Sequence, residues 1–387
     1  VTERFGSYQN EIYLQGLGGS KPPFTTDPNK LAAAAERALE PGPFGYVAGA
    51  AGSGATDRAN RAAFDRWKLV PRMLTDATDR DLSATVLGTE LPAPVLLAPI
   101  GVQSIVHADA ELATARAAAS LGVPMVLSTA ASHTIEQVAE ANAAGPRWFQ
   151  LYWPSEPDVC ASLLSRAKKA GFDTLVVTLD TWTLAWRPTD LDQTYLPFLN
   201  GEGVAIPFSD PAFRGLLERT PEEDPPAAIL RWIAMVTGTD KGWNQLSFLR
   251  EHWDGPIVLK GIQHPDDARR AVDAGMDGVV VSNHGGRQVD GAIGSLEALP
   301  AIANAVGDRI EVLFDSGIRT GADVLKALAL GAKAVLLGRP YVYGLALAGE
   351  DGVRHVLRGL LADLDLTLGL SGHRTIADLT PDSLVRN

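Results

Sequence analysis

Ala271-Val272-Asp273-Ala274-Gly275-Met276-Asp277-Gly278-Val279-Val280-Val281 is the stretch whose pattern decides the fold. The end of an alanine-rich helix runs into a glycine, and a continuous apolar strand begins a few residues later. The pattern recurs in Ala167-Lys168-Lys169-Ala170-Gly171-Phe172-Asp173-Thr174-Leu175-Val176-Val177 and in Leu328-Ala329-Leu330-Gly331-Ala332-Lys333-Ala334-Val335-Leu336-Leu337. In each copy the glycine follows the last helical turn, where a left-handed cap favours it. Strands apolar at every position are covered on both faces, as in parallel sheets.

Outward from these copies the count reaches eight strands: Val95–Ala98, Met125–Ser128, Trp148–Leu151, Leu175–Thr178, Ile257–Lys260, Val279–Ser282, Val312–Asp315 and Val335–Gly338. Between successive strands there is room for a helix, as at 110–121 and 265–274. Eight βα units predict an α/β chain folded as a (β/α)₈ TIM barrel. An open dinucleotide-binding sheet needs a glycine-rich turn after its first strand, and Pro99-Ile100-Gly101-Val102 is a poor match. The whole chain reads as one domain. Residues 1–90 form an N-terminal cap expected at the bottom and one side, 91–370 the barrel, and 371–387 a C-terminal tail. Residues 181–243 form a long lid-like insert after strand 4, where Trp182, Trp186 and Trp232 predict at least partial packing.

Composition narrows the function. The 387 residues are 46% hydrophobic and 21% charged, enough for a large core. A net charge of −12 lacks the electrostatic footprint of a nucleic-acid binder. The single cysteine, Cys160, permits no internal disulfide or thiolate metal cluster and is expected to be packing; no metal site is expected. No apolar run approaches the ~20 residues of a membrane span. Val1-Thr2-Glu3-Arg4-Phe5 lacks the order of a signal peptide, so a cytoplasmic protein is expected.

In a barrel of this kind the carboxyl ends of the strands converge on one mouth. Here they end in Gln150 and Tyr152, Thr178 and Asp180, Lys260, Ser282-Asn283-His284-Gly285-Gly286-Arg287, Asp315 with Gly317 and Arg319, and Gly338 with Arg339. His284 and Arg287 offer a proton acceptor and a planar cation, which suits a substrate carrying a carboxylate and a nearby acidic hydrogen. A surface loop whose histidine caps a strand is the plainer alternative. The glycines and arginines after strands 7 and 8, with a helix following Pro340, fit a phosphate site; two tight turns with surface arginines would also fit. The phosphate could belong to substrate or cofactor. Without a P-loop or dinucleotide fingerprint, a mononucleotide such as FMN is favoured. Lys260 suits the pyrimidine edge of a flavin, with a Schiff-base lysine as the rival.

The motif Ser282-Asn283-His284-Gly285-Gly286-Arg287-Gln288 resembles the active-site signature of the FMN-dependent 2-hydroxy-acid oxidising enzymes. Supporting matches are Tyr46-Val47-Ala48-Gly49, Phe149-Gln150-Leu151-Tyr152, Thr178-Leu179-Asp180-Thr181, Leu259-Lys260-Gly261 and Asp315-Ser316-Gly317-Ile318-Arg319. The resemblance covers essentially the whole chain. Within the family it leans toward lactate 2-monooxygenase, through Thr178-Leu179-Asp180-Thr181-Trp182, Trp186-Arg187-Pro188, Tyr8-Gln9-Asn10-Glu11-Ile12-Tyr13 and the insert.

The resemblance implies that His284 is the base, oriented by Asp180, that Arg287 and Arg187 hold the substrate carboxylate, and that Tyr46 and Tyr152 hydrogen-bond the substrate. It places FMN on Ala98, Pro99, Ser128, Gln150, Thr178, Lys260, Ser282 and Asp315, with Gly317, Arg319, Gly338 and Arg339 around its phosphate. An L-2-hydroxy acid such as lactate would be oxidised by oxygen. Decarboxylation of the retained 2-oxo acid would give the shortened acid, carbon dioxide and water. The alternatives are a simple oxidase releasing oxo acid and hydrogen peroxide, a flavin barrel acting on a phosphorylated or isoprenoid substrate, and an FMN-binding protein without turnover. Ala130, where plant glycolate oxidases have tryptophan, predicts an open wall that admits larger side chains. Ala50–Thr56, lacking acidic residues common at that place, is read as structural. A homotetramer or homo-octamer is implied.

Overall fold

The continuous apolar runs become eight parallel strands: β1 (Val95–Leu97), β2 (Met125–Ser128), β3 (Arg147–Leu151), β4 (Thr174–Thr178), β5 (Ile257–Ile262), β6 (Gly278–Val281), β7 (Glu311–Phe314) and β8 (Ala334–Leu337). Each pairs with the next, and β8 returns to β1 with Val335 beside Val95 and Leu337 beside Leu97, so the sheet closes into the expected barrel. The computed structural model describes residues 4–238 and 241–387. Residues 1–3 of the N-terminal segment and 239–240 of the insert lie outside the described residues.

Alternation along each strand divides the core in two. Leu96, Val126, Trp148, Val176, Val258, Val280, Leu313 and Leu336 form a cluster inside the barrel. Leu97, Leu127, Phe149, Val177, Val279 and Phe314 belong to the larger cluster shared with the helices. The three repeat glycines take the left-handed conformation their positions demand, with φ of 76° at Gly171, 73° at Gly275 and 106° at Gly331.

The N-terminal segment serves both ends of the barrel, where sequence suggested the bottom and one side. A hairpin, Ala84–Val86 with Thr89–Leu91, places Val86 and Leu91 against the inner cluster. Its Leu87 N–H donates to Glu311 at the start of β7 (2.9 Å). The helix Pro41–Ala48, by contrast, carries Tyr46 and Val47 to the mouth. Between these, Ser53 and Ala55 donate their N–H groups to Asp290, at 2.7 and 2.9 Å. The tail closes on the same segment, Leu384–Arg386 pairing antiparallel with Trp67–Leu69.

The segment after β4 is built of short helices, Pro188–Asp192, Ala205–Phe208, Pro211–Gly215 and Pro225–Val236, which bury Ile206, Phe213, Trp232 and Met235. Of the three tryptophans expected to pack, only Trp232 does, at 4% exposure; Trp182 is 58% and Trp186 74% exposed. The latter two fix the segment through their backbone. Trp182 O accepts from Gly238 N (2.7 Å) and Trp186 O from Gly52 N (2.8 Å). Among the described residues no helix is long and apolar enough to cross a membrane.

The last helix runs Arg339–Leu370, so Pro340, after which it was expected to begin, lies in its first turn, and Ala348 and Gly349 break its regular dihedrals. Across that kink Gly344 and Gly352 press together: a Cβ on Gly352 would lie 1.9 Å from the Gly344 carbonyl oxygen. At Gly359 in the same helix a Cβ would meet nothing within 4 Å. Gly352→Ala is therefore expected to destabilise by about 1–3 kcal/mol or more. Gly359→Ala is expected to stabilise by about 0.5–1 kcal/mol, because alanine restricts the unfolded chain and favours helix. Thermal midpoints moving in opposite directions would bear this out.

Candidate active site

Lys260 ends its buried run on β5 and lies almost wholly out of solvent. Its ammonium sits 3.1 Å from Asp315 and donates to Ser282 Oγ at 3.0 Å. Burial alone would favour the neutral amine, but Asp315 and Asp180 outweigh it and raise the lysine's pKa, so a fixed cation stands at the centre of the mouth. Beyond Lys260 the strand register shifts at Gly261, which has φ 108°. A Cβ there would approach the Asp180 carboxyl to 2.9 Å. Glycine leaves the space Asp180 needs.

His284 follows β6 with φ 57°, an unusual conformation for a residue with a side chain. Three neighbours hold the turn. Ser282 Oγ accepts from His284 N (3.1 Å), Ser316 Oγ from Gly285 N (3.0 Å), and Asn283 Oδ1 from Gly286 N (3.0 Å). Asn283 in turn forms a reciprocal amide pair with buried Asn60. The His284 Nδ1 atom lies 2.9 Å from Asp180 Oδ1 and 3.0 Å from Thr181 Oγ1. Burial pushes the carboxyl of Asp180 up, but His284, Lys260 and the Thr181 hydroxyl outweigh it and bring it to about 2. Burial also lowers the pKa of His284, partly offset by Asp180, so the ring is neutral at pH 7. An ionised acceptor at Nδ1 keeps the proton on that nitrogen and leaves Nε2 as the basic one.

Four arginines gather on the same cavity: Arg187, Arg287, Arg319 and Arg339. Arg287 donates through Nη1 to Gly49 O (2.9 Å), and its guanidinium lies over the Tyr46 ring. Arg339 donates to Val47 O, Gly49 O and Gly285 O, each at 3.0 Å. Arg187 donates to Arg287 O (3.0 Å) and Gln288 Oε1 (2.7 Å). Acidic neighbours are few. Asp57 stands 3.4 Å from Arg339 and Asp190 4.0 Å from Arg187. Burial, with the repulsion of neighbouring arginines, drives Arg287 down to about 9 and Arg319 to about 10. A buried excess of positive charge asks for an anion.

The cavity has a volume of about 200 Å³ and opens to solvent. Its walls include Tyr46, Ala98, Pro99, Tyr152, Lys260, His284, Asp315, Gly317 and Gly338 together with the four arginines. Ser128, Gln150, Thr178, Asp180 and Ser282 do not line it, although the first three and Ser282 are buried at the strand ends. Thr178 and Asp180 face an adjoining cleft with Trp153 and Trp243. The main-chain groups of Ala98 prove less available than expected. Its N–H donates to Leu337 O (2.8 Å) and its carbonyl accepts the Tyr341 hydroxyl (2.9 Å). Nor is the wall simply open at Ala130. The insert lies against it, with Ala205 N donating to Ala131 O (3.2 Å) and Phe198 lining the same cavity.

The residues present fit FMN. The Gln150 side-chain nitrogen is buried without a hydrogen-bond partner, as a group awaiting a polar ring edge would be. Lys260 would supply a cation to the ring, and Gly317 (φ 105°), Gly338, Arg319 and Arg339, which line the same cavity, would hold the phosphate. Fold and site together define an α/β-barrel enzyme built around a mononucleotide.

Comparison with known proteins makes this specific. The family profile described as FMN-dependent dehydrogenase matches residues 35–386. The FMN-dependent alpha-hydroxy acid dehydrogenase qulF of Penicillium citrinum is 53% identical over 386 residues, 99% of this chain and 96% of that protein. An L-lactate oxidase of Lysinibacillus sphaericus is 42% identical over 346 residues, 89% of each. The crystal structure of a putative lactate oxidase from Pediococcus acidilactici superposes with a TM-score of 0.84 at 33% identity, covering 95% of this chain and 96% of that one. The chain belongs to the FMN-dependent dehydrogenase family, and its cofactor is FMN.

Several contributors carried no assigned role in the sequence. Thr181 touches both members of the His284–Asp180 pair, and Gln288 bridges Arg187 to the backbone of Asp180 (2.7 Å) and Thr183 (2.9 Å). Both lie inside quoted motifs, and only their hydrogen bonds separate them from their neighbours. Asn60 and the insert's Leu196, Phe198, Ile233 and Val236 gave no local signal at all. Removing one cation from the phosphate cradle tests the arrangement. Arg319→Ala is expected to weaken FMN binding to the apoprotein by about 10- to 100-fold while leaving riboflavin, which lacks the phosphate, unchanged. Fluorescence titration with both flavins measures it.

Proposed function

We propose that this enzyme oxidises an L-2-hydroxy acid with an apolar side chain to its 2-oxo acid, with oxygen as final electron acceptor. The observation that carries the reading is the Asp180-bound His284 sharing one cavity with Arg287 and Arg187. In it, the two arginines hold the substrate carboxylate, and Tyr46 and Tyr152, which line the same cavity, bond its carboxylate and hydroxyl. His284 Nε2 takes the proton, and Asp180 stabilises the imidazolium that forms. Lys260 would stabilise negative charge on bound FMN. Bound FMN supplies the two-electron acceptor. Leu184, Leu196, Phe198, Trp232, Ile233 and Val236 from the insert give the cavity an apolar roof, the basis for an apolar side chain.

The same roof motivates a second stage. If the insert keeps the 2-oxo acid beside the hydrogen peroxide formed from oxygen, oxidation of the oxo acid yields the carboxylic acid one carbon shorter, carbon dioxide and water. The competing outcome is release of oxo acid and peroxide, in keeping with relatives named L-lactate oxidase. During L-lactate turnover the first outcome gives acetate with no free peroxide. Pyruvate with one equivalent of peroxide would replace it by the second. Anaerobic bleaching of the yellow protein across a series of L-2-hydroxy acids identifies the side chain, and a protein bleached by none of them would refute the reading.

Two outcomes follow for the base. His284→Asn is expected to lower kcat by about 10²–10⁴-fold. Because burial lowers the pKa of His284, its basic form persists below the ordinary value of 6.5. kcat/KM should therefore climb through an acid limb centred below pH 6.5 and stay level through neutrality. A limb centred above 6.5 would contradict the assignment.

A further inference from the structure

Thr181 is the first residue of the insert and follows directly on Asp180. Its hydroxyl reaches the carboxylate and the imidazole together, 3.0 Å from Asp180 Oδ1 and 3.0 Å from His284 Nδ1. It lines both the main cavity and the cleft behind it. The other carboxylate oxygen, Asp180 Oδ2, is buried without a partner among the described residues, so all observed side-chain bonding of the carboxylate falls on Oδ1. An ionised carboxylate can only accept, so the Thr181 O–H points at Oδ1 and its oxygen lone pairs face His284.

We propose that Thr181 is a positioning residue, its hydroxyl bridging His284 to Asp180 and locking the imidazole with its proton on Nδ1. The inference rests on His284 being the base. The Nδ1–H meets two acceptors set side by side, Asp180 Oδ1 and Thr181 Oγ1, which fix the plane of the ring as well as its tautomer. Chains in which one hydroxyl both accepts and donates are cooperatively strengthened. When His284 gains a proton, Thr181 Oγ1 shares its stabilisation with the carboxylate and opposes the effect of burial. The insert reaches the base through the same residue. Trp182, the next in sequence, takes the hydrogen bond from Gly238 that joins the two ends of the insert.

Thr181→Val removes the hydroxyl and keeps the side-chain volume, and Thr181→Ser restores it. In the FMN-loaded enzyme, Thr181→Val should lower the plateau rate of anaerobic bleaching by about five- to tenfold with little change in KM. It should also move the acid limb of kcat/KM to lower pH, and Thr181→Ser should return both toward wild type. NMR titration of histidine ring carbons in the substrate-free enzyme, with the His284 signal identified by its loss in His284→Asn, should show the same downward shift. Were His284 not the base, the NMR shift would persist while the rate profile stayed put, separating the two claims. A His284 titration unmoved in Thr181→Val, or a serine variant indistinguishable from valine, would overturn the role of Thr181.

Discussion

The constraint on which the site depends is the burial of like charge. Lys260 and four arginines converge on one cavity, and their repulsion has to be contained before any ligand arrives. Asp315 and Asp180 contain Lys260, but the arginines have mostly carbonyl oxygens. Carbonyl dipoles hold a guanidinium in place without cancelling its charge, so the cavity keeps its attraction for anions. This also explains why an N-terminal helix belongs to the mouth of a barrel that begins after it. Its end supplies Val47 O and Gly49 O, to which Arg339 donates, with Arg287 on Gly49 O as well.

The second organising device is the pairing of each reactive group with a residue that makes its conformation possible. Gly261 leaves room for Asp180. Ser282, Ser316 and Asn283 hold the strained turn of His284, and the amide pair between Asn283 and Asn60 ties that turn to the helix Ala55–Asp65. That amide pair joins residues 223 positions apart, which a compact barrel mouth allows because every strand delivers its end to the same place.

That geometry explains what could be read from sequence. The strands were legible because a run such as Val279-Val280-Val281 and a cap such as Gly275 are local, and their physical demands are met within a few residues. The polar strand ends were legible because Lys260 or His284 after such a run has no packing explanation. Partnership was not legible. Nothing near Ala98 indicates that Tyr341 takes its carbonyl, and nothing near Ala130 indicates that the insert docks beside it through Ala205 N on Ala131 O. Trp182 and Trp186 look like core residues by type, yet the insert uses their carbonyl oxygens and leaves their rings in solvent. Burial of a loop residue depends on the path of the whole loop, which residue type does not specify.

The tethering of the insert has a consequence for how such an enzyme diversifies. Its two ends are joined by the bond between Gly238 and Trp182, and further bonds run from Met235 to Ser155 and from Trp186 to Gly52. Between those anchors the same segment roofs the cavity and is bonded again to the barrel, through Ala205 N on Ala131 O and the ion pair of buried Asp210 with Arg166. The strand ends contribute the charged groups of the cavity and the insert contributes its apolar lining. An exchange of residues 188–234 between relatives would therefore remodel the apolar roof only if Ala205 and Asp210, which dock the segment on the barrel, travelled with it.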